Sequence, residues 1–124
     1  MIVNDFLNAI RNAMYGDSIT WPGWIGIGTG ITAAAASDTA LQTEVYPDGA
    51  NRSMIDYKTK PSSKNVRYQM NVAAGEANGN TLTEVGALNA ATGGTLMNRF
   101  VHTGIAKTAS FELIYQIVTK LSDV

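Results

Sequence analysis

The chain of 124 residues contains no cysteine. That absence removes disulfides, thiolate metal sites, iron–sulfur ligation and cysteine nucleophiles together, and leaves packing or association to stabilise the fold. Histidine is nearly absent too: His102 stands alone, which excludes any site built from two histidines of the chain and makes a Ser-His-Asp triad depend on this one residue. No Gly-x-Ser-x-Gly elbow supplies a nucleophile for it, and a strand-end histidine with a hydrogen-bonded ring is the expectation. Charge is scarce. Asp, Glu, Lys and Arg make up 15% of the chain, against roughly 25% in an average soluble domain. Nine Lys and Arg against ten Asp and Glu give a net charge of -1, so no global field draws in nucleic acid or an anionic membrane. Apolar runs break at Gly, Thr or Pro well short of the ~20 residues of a membrane span. Asp5 stands where a signal peptide carries positive charge, so no leader is expected.

What is present is a core. Apolar residues make up 45% of the chain, and the length suits one domain over residues 1–124. With so little charge, the exterior is expected to be coated with Thr, Asn, Ser, Gln and Gly and also covered by neighbouring chains. Residues 4–15 read as the one helix, because Phe6, Leu7, Ile10, Ala13 and Met14 form an apolar stripe at helical spacing. Asn4 is the expected N-cap and Gly16 the stop, with Asp5 and Arg11 in the order the macrodipole favours.

From Trp21 onward the texture is glycine, β-branched and aromatic residues with period-two alternation, an all-β signature. Trp24 to Gly28 is a first strand, Thr32 to Ser37 a connection, Asp38 to Leu41 one capped helical turn, and Pro47-Asp48-Gly49 a turn. Ser53, Ile55 and Tyr57 alternate with polar neighbours. Val66, Tyr68, Met70 and Val72 alternate with Asn65, Arg67, Gln69 and Asn71, predicting one core face and one wet face. Runs Thr81 to Asn89 and Thr95 to Val101 flank Thr92-Gly93-Gly94, a hairpin signal. In the last strand Phe111, Leu113, Tyr115 and Ile117 alternate, yet the opposite face also carries Ile114 and Val118. Such a strand is central in a sheet or pressed against another subunit. The expected fold is an antiparallel β-sandwich, jelly-roll-like, with one short N-terminal α-helix.

The chemical motifs are weak. Gly26-Ile27-Gly28-Thr29-Gly30 has Ile31 where a dinucleotide fingerprint needs its third glycine, and no Gly-Lys-Ser/Thr follows for a phosphate loop; it reads as a glycine-kinked strand entering a turn. Glu76 and Glu84 are a conceivable acid/base pair. The plainer expectation is a solvated Glu76 and a strand Glu84 that accepts backbone hydrogen bonds or pairs with Arg99 across the hairpin. The segment Glu76 to Asn80 has oxygen donors around a glycine but lacks the acidic pattern of a calcium loop. Lys58, Lys60 and Lys64 with Tyr57 and Tyr68 form a small basic, aromatic patch; beside Asp56 it reads as a solubilised hairpin or a blunted edge. No catalytic residue, metal site or cofactor is expected. Trp21 and Trp24 around Pro22-Gly23 are either a core plug or an aromatic anchor for a partner. Phe6, Ile10, Trp21, Trp24, Ile114 and Val118 are the candidate partner-binding residues.

The stretches Ile25 to Gly30, Ser37 to Val45, Glu76-Ala77-Asn78-Gly79, Leu82 to Arg99 and Lys107-Thr108 together resemble a family of small tailed-bacteriophage virion proteins, labelled tail, tail-fibre or virion structural proteins. The resemblance spans most of the chain from Trp24. Members usually continue as Glu-Ala-Gly-Leu-Phe-Asn-Ala where Val85, Ala87 and Leu88 stand here, and the Phe-Pro-Pro-Ile before their Lys-Thr is replaced by Val101 to Ile105, which alters an apolar surface. The resemblance implies a non-catalytic assembly unit of the tail or fibre base or of the capsid surface as a decoration. It also implies location in a virion assembled in the host cytoplasm, self-association as a homotrimer, and tail, baseplate or major capsid proteins as partners. Glu84 and the Gly93-Gly94 turn carry over as structural elements. Two other readings are a carbohydrate-binding sandwich that stacks a host glycan on Trp21, Trp24 or Tyr46, and a wall-degrading hydrolase using Glu76 and Glu84.

Overall fold

In the computed structural model, which describes residues 1–121, helix α1 (Asn4–Tyr15) precedes the strands β1 (Trp24–Gly28), β2 (Glu44–Val45), β3 (Ser53–Met54), β4 (Tyr57–Thr59), β5 (Asn65–Val72), β6 (Thr81–Leu88), β7 (Leu96–Ala106) and β8 (Leu113–Lys120). They form two antiparallel sheets. The larger has the order β2-β1-β6-β7, with β3 also pairing β1, and the smaller has the order β4-β5-β8. The sheets pack face to face as a small β-sandwich. Ile25 and Ile27 of β1, Val85 and Ala87 of β6 and Met97 of β7 share one core with Tyr68, Met70 and Val72 of β5 and Tyr115 and Ile117 of β8. Period-two alternation is what places these residues on one face, and each fully buried large apolar side chain contributes about 1.5–3 kcal/mol.

A polar link crosses that core: Asn98 donates from Nδ2 to Thr119 Oγ1 at 3.0 Å while its Oδ1 accepts from the Ala87 N–H at 2.9 Å. It sits where the β6–β7 register shifts between Ala87 and Leu88, so the side chain satisfies a backbone donor that the irregular ladder leaves over.

Helix α1 lies on the sandwich through a narrower stripe than its sequence suggests. Phe6 is buried and Ile10 packs against the core, whereas Leu7, Met14 and Tyr15 face outward. Val3, not Asn4, occupies the N-cap position, and no side chain caps the helix. Val3 is instead fixed by β pairing: its N–H reaches Met97 O at 3.2 Å, Ile2 bridges Asn98, and the Arg99 N–H reaches Met1 O at 3.0 Å. Gly16 ends the helix as expected, at φ +111°, with its N–H on Ala13 O and that of Asp17 on Asn12 O.

Three further expectations change. Asp38 to Leu41 is not a helical turn, because the Asp38 carboxylate accepts from the Ala35 N–H and from Arg99 and holds the segment open. The Ser53–Ile55–Tyr57 alternation is interrupted: β3 belongs to the large sheet and β4 to the small one. Strand β7 continues five residues past Val101 to Ala106, which makes His102 internal to a strand. The Pro47-Asp48-Gly49 turn forms as read, with Gly49 at φ +87° and Asp48 Oδ1 accepting from the N–H groups of Ala50 and Asn51.

Candidate interaction surface

The charged side chains of the interior are consumed by the fold. Glu84 and Arg99 lie on the outer face of the large sheet, under a strap formed by residues 29–43. Glu84 Oε1 accepts from the Thr43 N–H at 2.7 Å and the Gly30 N–H at 3.3 Å; Oε2 accepts from the Gln42 N–H and from Arg99 Nε, both at 2.9 Å. Arg99 also donates to Asp38 Oδ2 and to the Thr32 carbonyl. Both side chains are essentially solvent-free. Burial alone would raise the Glu84 pKa, but the N–H groups of Thr43 and Gln42 and the Arg99 guanidinium outweigh it and hold the carboxyl below its ordinary value. Asp38 is lowered chiefly by the Ala35 N–H, with Arg99 adding to it. Glycines make room for this strap: a Cβ on Gly28 would lie 2.3 Å from Thr43 O and 2.4 Å from Glu84 Oε1. The glycine run is therefore a seat for the strap and for one carboxylate.

Two other cations are likewise structural. Arg52 forms a bidentate pair with Glu44 and donates from Nη1 to the carbonyls of Ala90 and Gly93, which ties down the hairpin turn. Lys107 is 1% exposed, and its Nζ donates to Ala74 O, Asn78 Oδ1 and Thr108 O. The oxygen-rich loop around Gly79 thus encloses a cation, but that cation is the chain's own ammonium. Glu76 is not free in solvent: its Oε1 accepts from the Ala73 N–H. It is bound within its own loop, whereas Glu84 lies under the strap. Among the described residues no cluster of three His, Asp or Glu side chains is placed to hold a metal.

What remains is one open side of the sandwich. Strand β7 is the edge of the large sheet and β8 the edge of the small one, and between them lies a groove of about 670 Å³ lined by Phe100, His102, Ile105, Tyr115 and Ile117 among others. No Asp, Glu, Lys or Arg lines it. His102 spans it, with Nε2 2.9 Å from the Tyr115 hydroxyl and Nδ1 2.8 Å from Thr103 O. Burial pushes the Tyr115 pKa up to about 12. On the outer face of β8, Ile114 is 57% and Val118 38% exposed.

The candidate partner residues therefore divide. Phe6 is core and offers no contact to a partner, since its ring lies inside the sandwich. Ile10 is partly buried against the same core. Trp24 is half-buried within β1, opposite Met54 and Leu88. Trp21 is 53% exposed on a turn held by Lys58 Nζ on Pro22 O and by backbone bonds from Gly23 to Leu88 and from Ile55 to Gly23. Lys58 lies on the edge strand β4, over the Tyr68 ring, as a blunting charge would. Ile114 and Val118 stand together on β8, away from the Trp21 turn in the topology. The groove itself went unread in the sequence; its only signal was the two-sided apolar character of β8. No protein-family model matches the chain, and no match is found among curated proteins.

Proposed function

We propose that the protein is a non-catalytic structural subunit of a tailed-phage particle, an oligomeric assembly unit of the tail or fibre base or of the capsid surface. The observation that carries this reading is the open side of the sandwich, where two edge strands flank an uncharged groove and Ile114 and Val118 project from β8. Edge strands of soluble proteins are ordinarily blunted by charge, proline or cover, and an apolar exception marks a surface meant for a partner. The engagement of Glu84, Arg99, Arg52 and Lys107 in structural bonds supports the same reading, because it leaves the buried charges no free functional atom. The sequence resemblance supplies the virion context and the homotrimer. The test is co-sedimentation of purified protein with tails and with emptied capsids that lack it: saturable binding to one of them is the expected result, and binding to neither overturns the proposal.

The half-exposed Trp21 favours a second reading, glycan stacking. A glycan panel followed by tryptophan fluorescence checks it, and a flat response across the panel removes it.

A further inference from the structure

Strand β8 is the long uncovered edge of the small sheet. All eight of its residues pair in unbroken register with β5, from Asn65 opposite Lys120 to Val72 opposite Leu113, and among the described residues no strand pairs with its other side. It carries no proline and no bulge, and its one charged side chain, Lys120, stands at its C-terminal end. The adjacent edge is covered in part: the N-terminal residues pair along β7 from Met97 to Arg99. Among the described residues nothing comparable covers β8.

The sequence around this edge is complementary to itself when reversed. Gln116 lies midway between Glu112 and Lys120, between Ile114 and Val118, and between Tyr115 and Ile117. Two copies laid antiparallel about Gln116 place Ile114 of each against Val118 of the other on the outer face, Gln116 against Gln116, and Glu112 against Lys120 at both ends. On the inner face Tyr115 meets Ile117, beside the groove. Directly opposed side chains of an antiparallel pair are the contacts that decide register, and opposite charges there attract while like charges repel. Glu112, Ile114, Gln116, Val118 and Lys120 are all exposed; Glu112 accepts from Asn71 Nδ2 at 3.3 Å and Gln116 donates to Gln69 Oε1 at 2.9 Å within the chain, each keeping an exposed face toward a partner. A two-fold contact is isologous and requires this kind of self-complementarity.

We infer that β8 is a two-fold interface: a second copy of this chain adds antiparallel at the β8 edge, centred on Gln116, and joins two small sheets into one of six strands. The inference deepens the assembly reading by naming the partner of the open side. It assigns a pairwise contact here and leaves any three-fold contact to another surface.

The experiment is charge exchange at Glu112, just before β8, and at Lys120, its last residue, read by light scattering and native mass spectrometry. The wild-type chain associates in even numbers, as a dimer through this contact alone or as a hexamer where two trimers meet through it. Glu112→Lys alone and Lys120→Glu alone each oppose like charges at both ends and weaken the dimer about tenfold. The doubly exchanged chain recovers wild-type association, and in an equimolar mixture the two single variants pair with each other about tenfold more tightly than either pairs with itself. Ile114→Asp, at an exposed position, abolishes the dimer while leaving the thermal unfolding of the monomer in place. A monomeric wild type, or an oligomer indifferent to these exchanges, overturns the interface. Co-sedimentation with particles is scored separately: a monomer that still binds them overturns the β8 pairing alone, and a charge-sensitive dimer that binds none overturns the virion reading alone.

Discussion

Glu84 is the residue on which most of the long-range order depends, because one carboxylate holds three backbone N–H groups of the strap and one guanidinium. Removing its charged partner leaves a buried carboxylate only partly compensated. Arg99→Ala is therefore expected to cost about 3–5 kcal/mol in urea unfolding, and in a Glu84→Gln background the same change costs less, a coupling that a double-mutant cycle measures. The carboxyls of Glu84 and Asp38 are held below their ordinary pKa values, so the native state binds fewer protons than the unfolded chain in the acid range. Their stabilisation is complete above the unfolded carboxylate pKa of about 4 and is lost as pH falls through the lower folded values. Thermal melting from pH 7 to pH 2 should show stability declining below about pH 4, with a shallower decline in Glu84→Gln. This pairing was legible in the sequence, since Gly93-Gly94 announces the hairpin that brings Arg99 opposite Gly86, diagonal to Glu84. The role of Lys107 was not, because its three acceptors come from loops with no periodicity to place them.

The elements were legible in proportion to their periodicity. Strand β5 and the helix over residues 4–15 fall where alternation and the apolar stripe put them. The strap of residues 29–43 has neither pattern, and a helical turn was expected where Asp38 instead takes a backbone donor and an arginine. The same strap explains the glycines beneath it. Gly28→Ala places a methyl group against a backbone oxygen that is itself part of the seat, and the expected loss is about 1–3 kcal/mol; Gly75→Ala, with open space around it, is the tolerated control in the same denaturation series. The helix makes an opposite case. Phe6 was a candidate contact, but its ring is part of the core, so Phe6→Ala should cost about 3–5 kcal/mol by the loss of buried surface and the cavity left behind. A change at exposed Leu7 should stay within about 0.5 kcal/mol.

At the scale of the whole molecule the charges and the apolar surface are segregated. Arg99, Glu84, Arg52 and Lys107 are used inside, and the groove between β7 and β8 is lined by no charged side chain. The scarcity of charge in the composition thus reappears as a place, and the two-sided apolar pattern of β8 was the part of it that could be read in advance. The groove could not be read, since it exists only where the edges of two sheets come side by side. The enclosed Lys107 has one more consequence. An amine-acylating reagent reaches the other lysines from solvent, but it reaches Nζ of Lys107 only when the loop of residues 73–80 lets go of it. Its rate of labelling, followed by peptide mass, is therefore a clock for how often that end of the sandwich breathes.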